Sequence, residues 1–162
     1  MELTIPRPER PSAVELLVSI ARPMIRTFES ALAPLLDLGI RLFVAWVFFT
    51  SGLTKIASWD STLALFENEY SVPLLPPHAA AYAGAFTELF FPVLMVLGLA
   101  GRFAAGVLFV FNVIAVISYP DLGEVGRMSH EYWGLLLLVT LLHGPGKVSI
   151  DHFVRARFLG KQ

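Results

Sequence analysis

An arginine and a glutamate stand where this chain is least able to hold a charge. Arg41 lies inside an apolar stretch from about Leu35 to Ile56, and Glu88 lies near the middle of a second, about Ala79 to Leu99. A charge at bilayer depth costs roughly 2.5–3.5 kcal/mol at a helix centre on insertion scales, so such residues are rarely idle. At the ~3.6-residue repeat, Arg41, Phe48, Gly52 and Lys55 share one stripe of the first stretch. A glycine in such a stripe lets a second backbone approach closely. Glu88 is the natural counter-charge to Arg41, with an expected height gap of about 6 Å at 1.5 Å rise per residue. Lys55, nearer the membrane boundary, is the less direct partner. Pro92 has no N–H and leaves the Glu88 carbonyl without its i+4 donor. A carboxylate and a freed carbonyl on one residue suit a cation, a proton or an ordered water. Asn112, midway along a third apolar stretch, can both donate and accept, and so can complete the network. Two uses remain open. Arg41–Glu88 is either a buried clamp that fixes helix register, or the centre of a small polar cavity with Trp46, Phe48, Gly52 and Pro92 in its wall.

Other chemistry finds less support. There are no cysteines, which excludes disulfides, thiolate metal sites and thiol relays. His78 and His130 map to one side of the expected bundle and His143 and His152 to the other, so no transverse pair suits a haem. No metal-ligand spacing, catalytic Ser/His/Asp motif or glycine-rich phosphate loop is present. No metal and no cofactor is expected from the residues. An aromatic-lined cleft near Trp46, Phe48 and Gly52 would suit a quinone or a lipid. An enzymatic role is expected only as a subunit of an oxidoreductase.

The elements that carry these residues follow from hydropathy. The chain has 162 residues, 56% of them hydrophobic and 15% charged, where soluble domains average about 25% charged. The apolar residues fall into long blocks: Leu35–Ile56, Ala79–Leu99, Phe103–Tyr119 and a shorter one at about Glu131–His143, begun near Ser129. About 20 apolar residues cross a bilayer core, so the fold class is all-α, a polytopic four-helix transmembrane bundle. Residues 1–34 read as a proline-rich disordered lead-in followed by an amphipathic helix lying in the membrane interface, broken or kinked at Pro23. Residues 35–145 form the transmembrane domain, and 146–162 a basic tail. With both termini cytoplasmic, nine of the twelve basic residues lie inside and only Lys55 and Arg127 outside, as the positive-inside rule favours. That arrangement puts both termini on the cytoplasmic side of the membrane. Asp60, Glu67, Glu69, Asp121 and Glu124 then make the outer loops acidic.

From Leu38 to Phe153 the chain resembles the DoxX family of small four-span membrane proteins. The resemblance rests on Arg41, Phe48, the run Gly52-Leu53-Thr54-Lys55, Thr87-Glu88-Leu89, Gly98-Leu99 with Gly101-Arg102, and Gly144-Pro145-Gly146-Lys147-Val148-Ser149-Ile150-Asp151. The blocks from Trp59 to Thr62 and from Tyr70 to Pro77 resemble one bacterial subgroup, whose members tend to be encoded beside metal-stress or modified-peptide genes. The resemblance implies a part in quinone-linked or redox-stress membrane assemblies. Three functions are therefore expected to compete. The first is a non-catalytic accessory or docking subunit, with membrane lipids and either a protein partner or a second copy as neighbours. The second is a small permease using Arg41–Glu88, and the third a quinone- or lipid-binding subunit. No nucleic-acid partner is expected.

Overall fold

The computed structural model describes residues 12–160, all-helical and without a strand among them. The expected disordered lead-in lies outside the described residues apart from Ser12, as does Lys161 of the tail. Two compact units divide the chain at Pro34.

In the first unit, α1 covers Ala13–Thr27. It starts at a capping box: the Ser12 hydroxyl accepts from the Glu15 amide at 3.2 Å, and the Glu15 carboxylate accepts from the Ser12 amide at 2.7 Å. These bonds satisfy two amides that a helix start otherwise leaves open. The helix runs on through Pro23 and does not break there. The proline's missing N–H costs one internal bond, and the Thr27 hydroxyl donates to the Pro23 carbonyl at 2.9 Å one turn on. A π-helical turn, Phe28–Leu32, follows. The polar stripe Glu15, Ser19, Arg22, Arg26 runs down one face, and the apolar residues of α1 are exposed.

In the second unit, four long helices pack antiparallel: α2 (Ala33–Ala57), α4 (Pro77–Leu97), α5 (Gly101–Ser118) and α6 (Gly123–His143). The stretches holding α2, α4 and α5 are long and apolar enough to cross a membrane. The fourth expected span differs. With 21 residues, α6 is long enough, but Glu124, Arg127 and His130 make its first turns too polar to count by composition. It also begins about six residues before the expected start near Ser129.

Small side chains let the rods come close. Ala104, Ala105, Gly84, Ala85 and Gly134 are buried on facing surfaces, as expected where packing rather than water drives association. The main core joins Val44, Phe48, Met95, Leu108 and Leu137. A second cluster, Phe66 with Ala80 and Ala81, seats α3 (Trp59–Asn68) against α4. This helix lies in what reads as a plain loop. The Thr62 hydroxyl ties it to the Lys55 carbonyl at 2.9 Å.

The bundle has two unlike ends. The end where α2 begins and α4 turns into α5 is called the tail end. The other is the α3 end. At the tail end α4 stops on Gly98, left-handed at φ 64, with the Leu99 amide donating back to Leu94 at 3.0 Å, a closure that favours glycine. A short helix, α7 (Ile150–Val154), then folds back onto that turn. Asp151 accepts from the Ala100 and Gly101 amides at 2.9 and 2.8 Å, capping α5 from outside.

Candidate functional site

The structure separates the two charges that hydropathy suggested should meet. Arg41, 1% exposed, points to the tail end. Its guanidinium donates to the Met95 carbonyl at 3.2 Å and to the Val148 carbonyl. Met95 lies in the last turn of α4, where its carbonyl also accepts from the Gly98 amide at 3.1 Å and the helix dipole favours a cation. Asp37 and Asp151 supply the opposing field. No space surrounds this arginine: a Cβ on Gly98 would collide with Arg41 and Ser149. The Gly144–Asp151 run is thus the strap that closes the bundle over Arg41.

Glu88, 5% exposed, pairs instead with Lys55, whose Nζ lies 2.6 Å from its Oε2. The Ser51 hydroxyl donates to the other oxygen at 3.1 Å, and Lys55 donates to Ser51 at 3.1 Å. The three groups close a ring. The expected Arg41–Glu88 contact is therefore corrected, for a directional reason. Side chains on a helix lean toward its N-terminus. Arg41 leans to the tail end, away from Glu88, while Lys55 leans inward and Glu88, on the antiparallel α4, leans to meet it.

Asn112 does not join that ring. Its amide donates to the His130 carbonyl at 2.9 Å, and its oxygen faces the His130 Nδ1 at 2.8 Å. It binds α5 to α6 and receives the polar start of α6. His130, expected at the outer boundary, sits two turns inside α6.

The Lys55–Ser51–Glu88 ring borders a cavity of about 610 Å³ at the α3 end, between α4 and α5 and beneath the 71–76 loop. Its wall is mostly apolar, with Val72, Leu74, Val110 and Ile114 among the lining side chains, and His130 and Tyr70 join the ring as polar groups. Lining residues Ala83, Val110 and Ile117 are exposed, so the cavity is open. The four residues expected in its wall are elsewhere. Trp46 is 69% exposed on the outside of α2. Phe48 is packed edge-on against Phe111 and Trp133 at 6.3 and 6.2 Å between ring centres. Pro92 is buried in α4. Gly52 keeps α2 against α4: a Cβ there would sit 2.9 Å from the Leu89 side chain and 3.0 Å from that of Glu88.

Sequence alone gives Ser51 no role and marks Tyr70 and the 71–76 loop only by their resemblance to a bacterial subgroup, with no part in a site. Ser51 had a signal, one turn before Lys55 on the same stripe. At the mouth, Tyr70 packs on Phe66 and Tyr119, each 4.9 Å between ring centres. Burial, then Tyr119 and the carboxylates of Glu69 and Glu88, hold the Tyr70 hydroxyl above the usual phenol range. The Tyr119 hydroxyl, which donates to Glu69 at 3.2 Å, is raised by that bond. Both rings are uncharged at neutral pH. Among the described residues no group of three or more His, Asp or Glu could hold a metal ion.

A family model described as DoxX matches residues 36–120. An uncharacterised protein of Haemophilus influenzae is 30% identical over 125 residues, which is 72% of this chain and 81% of that protein. No solved structure matches. The family match runs from α2 through α5 and so takes in Lys55, Ser51, Glu88 and most of the cavity wall.

Proposed function

Since this chain belongs to the DoxX family, we propose that it is a non-catalytic membrane subunit that holds a hydrophobic molecule, a quinone or lipid, taken from the bilayer. It does so in a bacterial inner membrane, for a redox or stress-response partner. The observation that carries this reading is the open cavity of about 610 Å³ with one hydrogen-bonding ring in an apolar wall. Pockets for small molecules run to roughly 300–1,000 Å³ and combine just these features. A scaffold alone would have no use for such a volume. A permease built on Arg41 and Glu88 loses its centre, because the two side chains serve different ends of the bundle.

In this reading the tail end, with Arg102, Lys147, Arg155 and Arg157, faces the cytoplasm and the cavity mouth faces outward. The amphipathic α1 lies along the inner surface. The test is ligand capture. Protein in lipid nanodiscs, titrated with decylubiquinone and with farnesol and followed by native mass spectrometry, is expected to take up one molecule per chain. Ala83→Trp, which places an indole in the cavity from an exposed position, is expected to abolish uptake while the protein stays monodisperse. Equal uptake by wild type and Ala83→Trp would dispose of the cavity as the site.

A further inference from the structure

The cavity offers hydrogen bonds without offering charge. The Lys55 ammonium is cancelled by Glu88 at 2.6 Å, and Ser51 bridges the pair. Of the three N–H groups on an ammonium, these contacts engage two, which leaves one donor for a ligand. His130, also in the wall, supplies the complement. The Asn112 amide nitrogen is committed to the His130 carbonyl at 2.9 Å, so its oxygen must accept, and the imidazole Nδ1 at 2.8 Å must carry the proton. The neutral ring then keeps Nε2 as an acceptor. At the rim, Glu69 holds the hydroxyl of Tyr119, and Asp121 lies close enough to act on the same group. An anionic head would pass two carboxylates, shed its water and meet no net positive charge. Its desolvation would go uncompensated.

We infer that the cavity selects uncharged amphiphiles, molecules with an apolar tail and a neutral head that accepts a hydrogen bond from Lys55, donates one to His130, or does both, and rejects phosphate-bearing heads. This rests on the cavity being a ligand site, and it names what kind of head that site takes. Long-chain alcohols and phenols fit; prenyl phosphates and anionic phospholipids do not.

The experiment compares two probes with one tail, farnesol and farnesyl phosphate, binding to the full chain in nanodiscs of zwitterionic lipid. Wild type is expected to prefer farnesol by at least about tenfold, since a like-charged rim and a neutral pocket both oppose the anion. Glu88→Gln keeps the shape of the ring but frees one positive charge, and is expected to move the ratio toward the phosphate by about tenfold or more. The double variant Lys55→Gln with Glu88→Gln restores neutrality and is expected to restore the preference for farnesol. Equal affinity of wild type for the two probes, or a preference for the phosphate, overturns the inference without any variant. Should Ala83→Trp abolish binding of both probes while wild type favours the phosphate, the cavity stands and the charge rule falls. If Ala83→Trp leaves farnesol binding intact, the proposed function falls with it.

Discussion

One end of this bundle buries a cation and the other half-buries one, and they treat it in opposite ways. At the tail end Arg41 is held by backbone carbonyls of α4 and of the strap, in a space with no room for one extra methyl group at Gly98. At the α3 end Lys55 is held by two side chains, Ser51 and Glu88, beside about 610 Å³ of open volume. Carbonyls at a helix end cannot move without unwinding the helix, so the first arrangement is a fastening. Side chains can change partner when a ligand arrives, so the second can respond. A charge in a membrane helix therefore signals burial, and only the neighbouring space says whether burial serves the fold or a ligand.

The sharpest way to break this contrast is at the arginine. Arg41→Ala takes the buried guanidinium donor from the Val148 carbonyl and one of two donors from that of Met95, and leaving a buried acceptor unsatisfied costs about 1–3 kcal/mol. The expected outcome is protein that fails to accumulate or that melts far lower in detergent, read by fluorescence-detected size exclusion. An Arg41→Ala protein as stable as Glu88→Gln would erase the distinction between the ends. Asp151→Ala removes two hydrogen bonds from the start of α5 and exposes Ala100, held left-handed at φ 49, to relaxation. Its cost should be about 1–2 kcal/mol, seen as a lower melting point with farnesol binding unchanged. Trp46→Ala tests the other side of the argument. The indole is exposed and outside the cavity, so stability should move by no more than about 0.5 kcal/mol in detergent, and ligand uptake not at all. A loss of uptake in that variant would return Trp46 to the wall and discredit the cavity described above.

Much of the architecture could be read from sequence because hydropathy is a local property. The three most apolar helices fall within about two residues of their expected bounds. Three things escaped for physical reasons. Opposite charge and similar height suggest an Arg41–Glu88 pair, whereas the lean of side chains toward the N-terminus of α2 carries Arg41 away from Glu88 and brings Lys55 toward it. The helix α3 was hidden in a boundary region, although Trp59, Leu63 and Phe66 recur at helical spacing and pack on α4. The Gly144–Asp151 run carried the family resemblance but no visible role. Its work is tertiary, since its acceptors and donors lie on Arg41, Gly98, Ala100 and Gly101. Asn112 and His130 were each noticed, but not as a pair, because α6 starts earlier than its apolar run.

The cap that Asp151 places on the amide of Ala100 reaches across 51 residues of chain. A ribosome makes α5 long before it makes the carboxylate that finishes it. During synthesis the fold of the tail end therefore waits on a segment made after all four long helices, and a transcript cut short before Asp151 would yield helices already inserted but left unlatched.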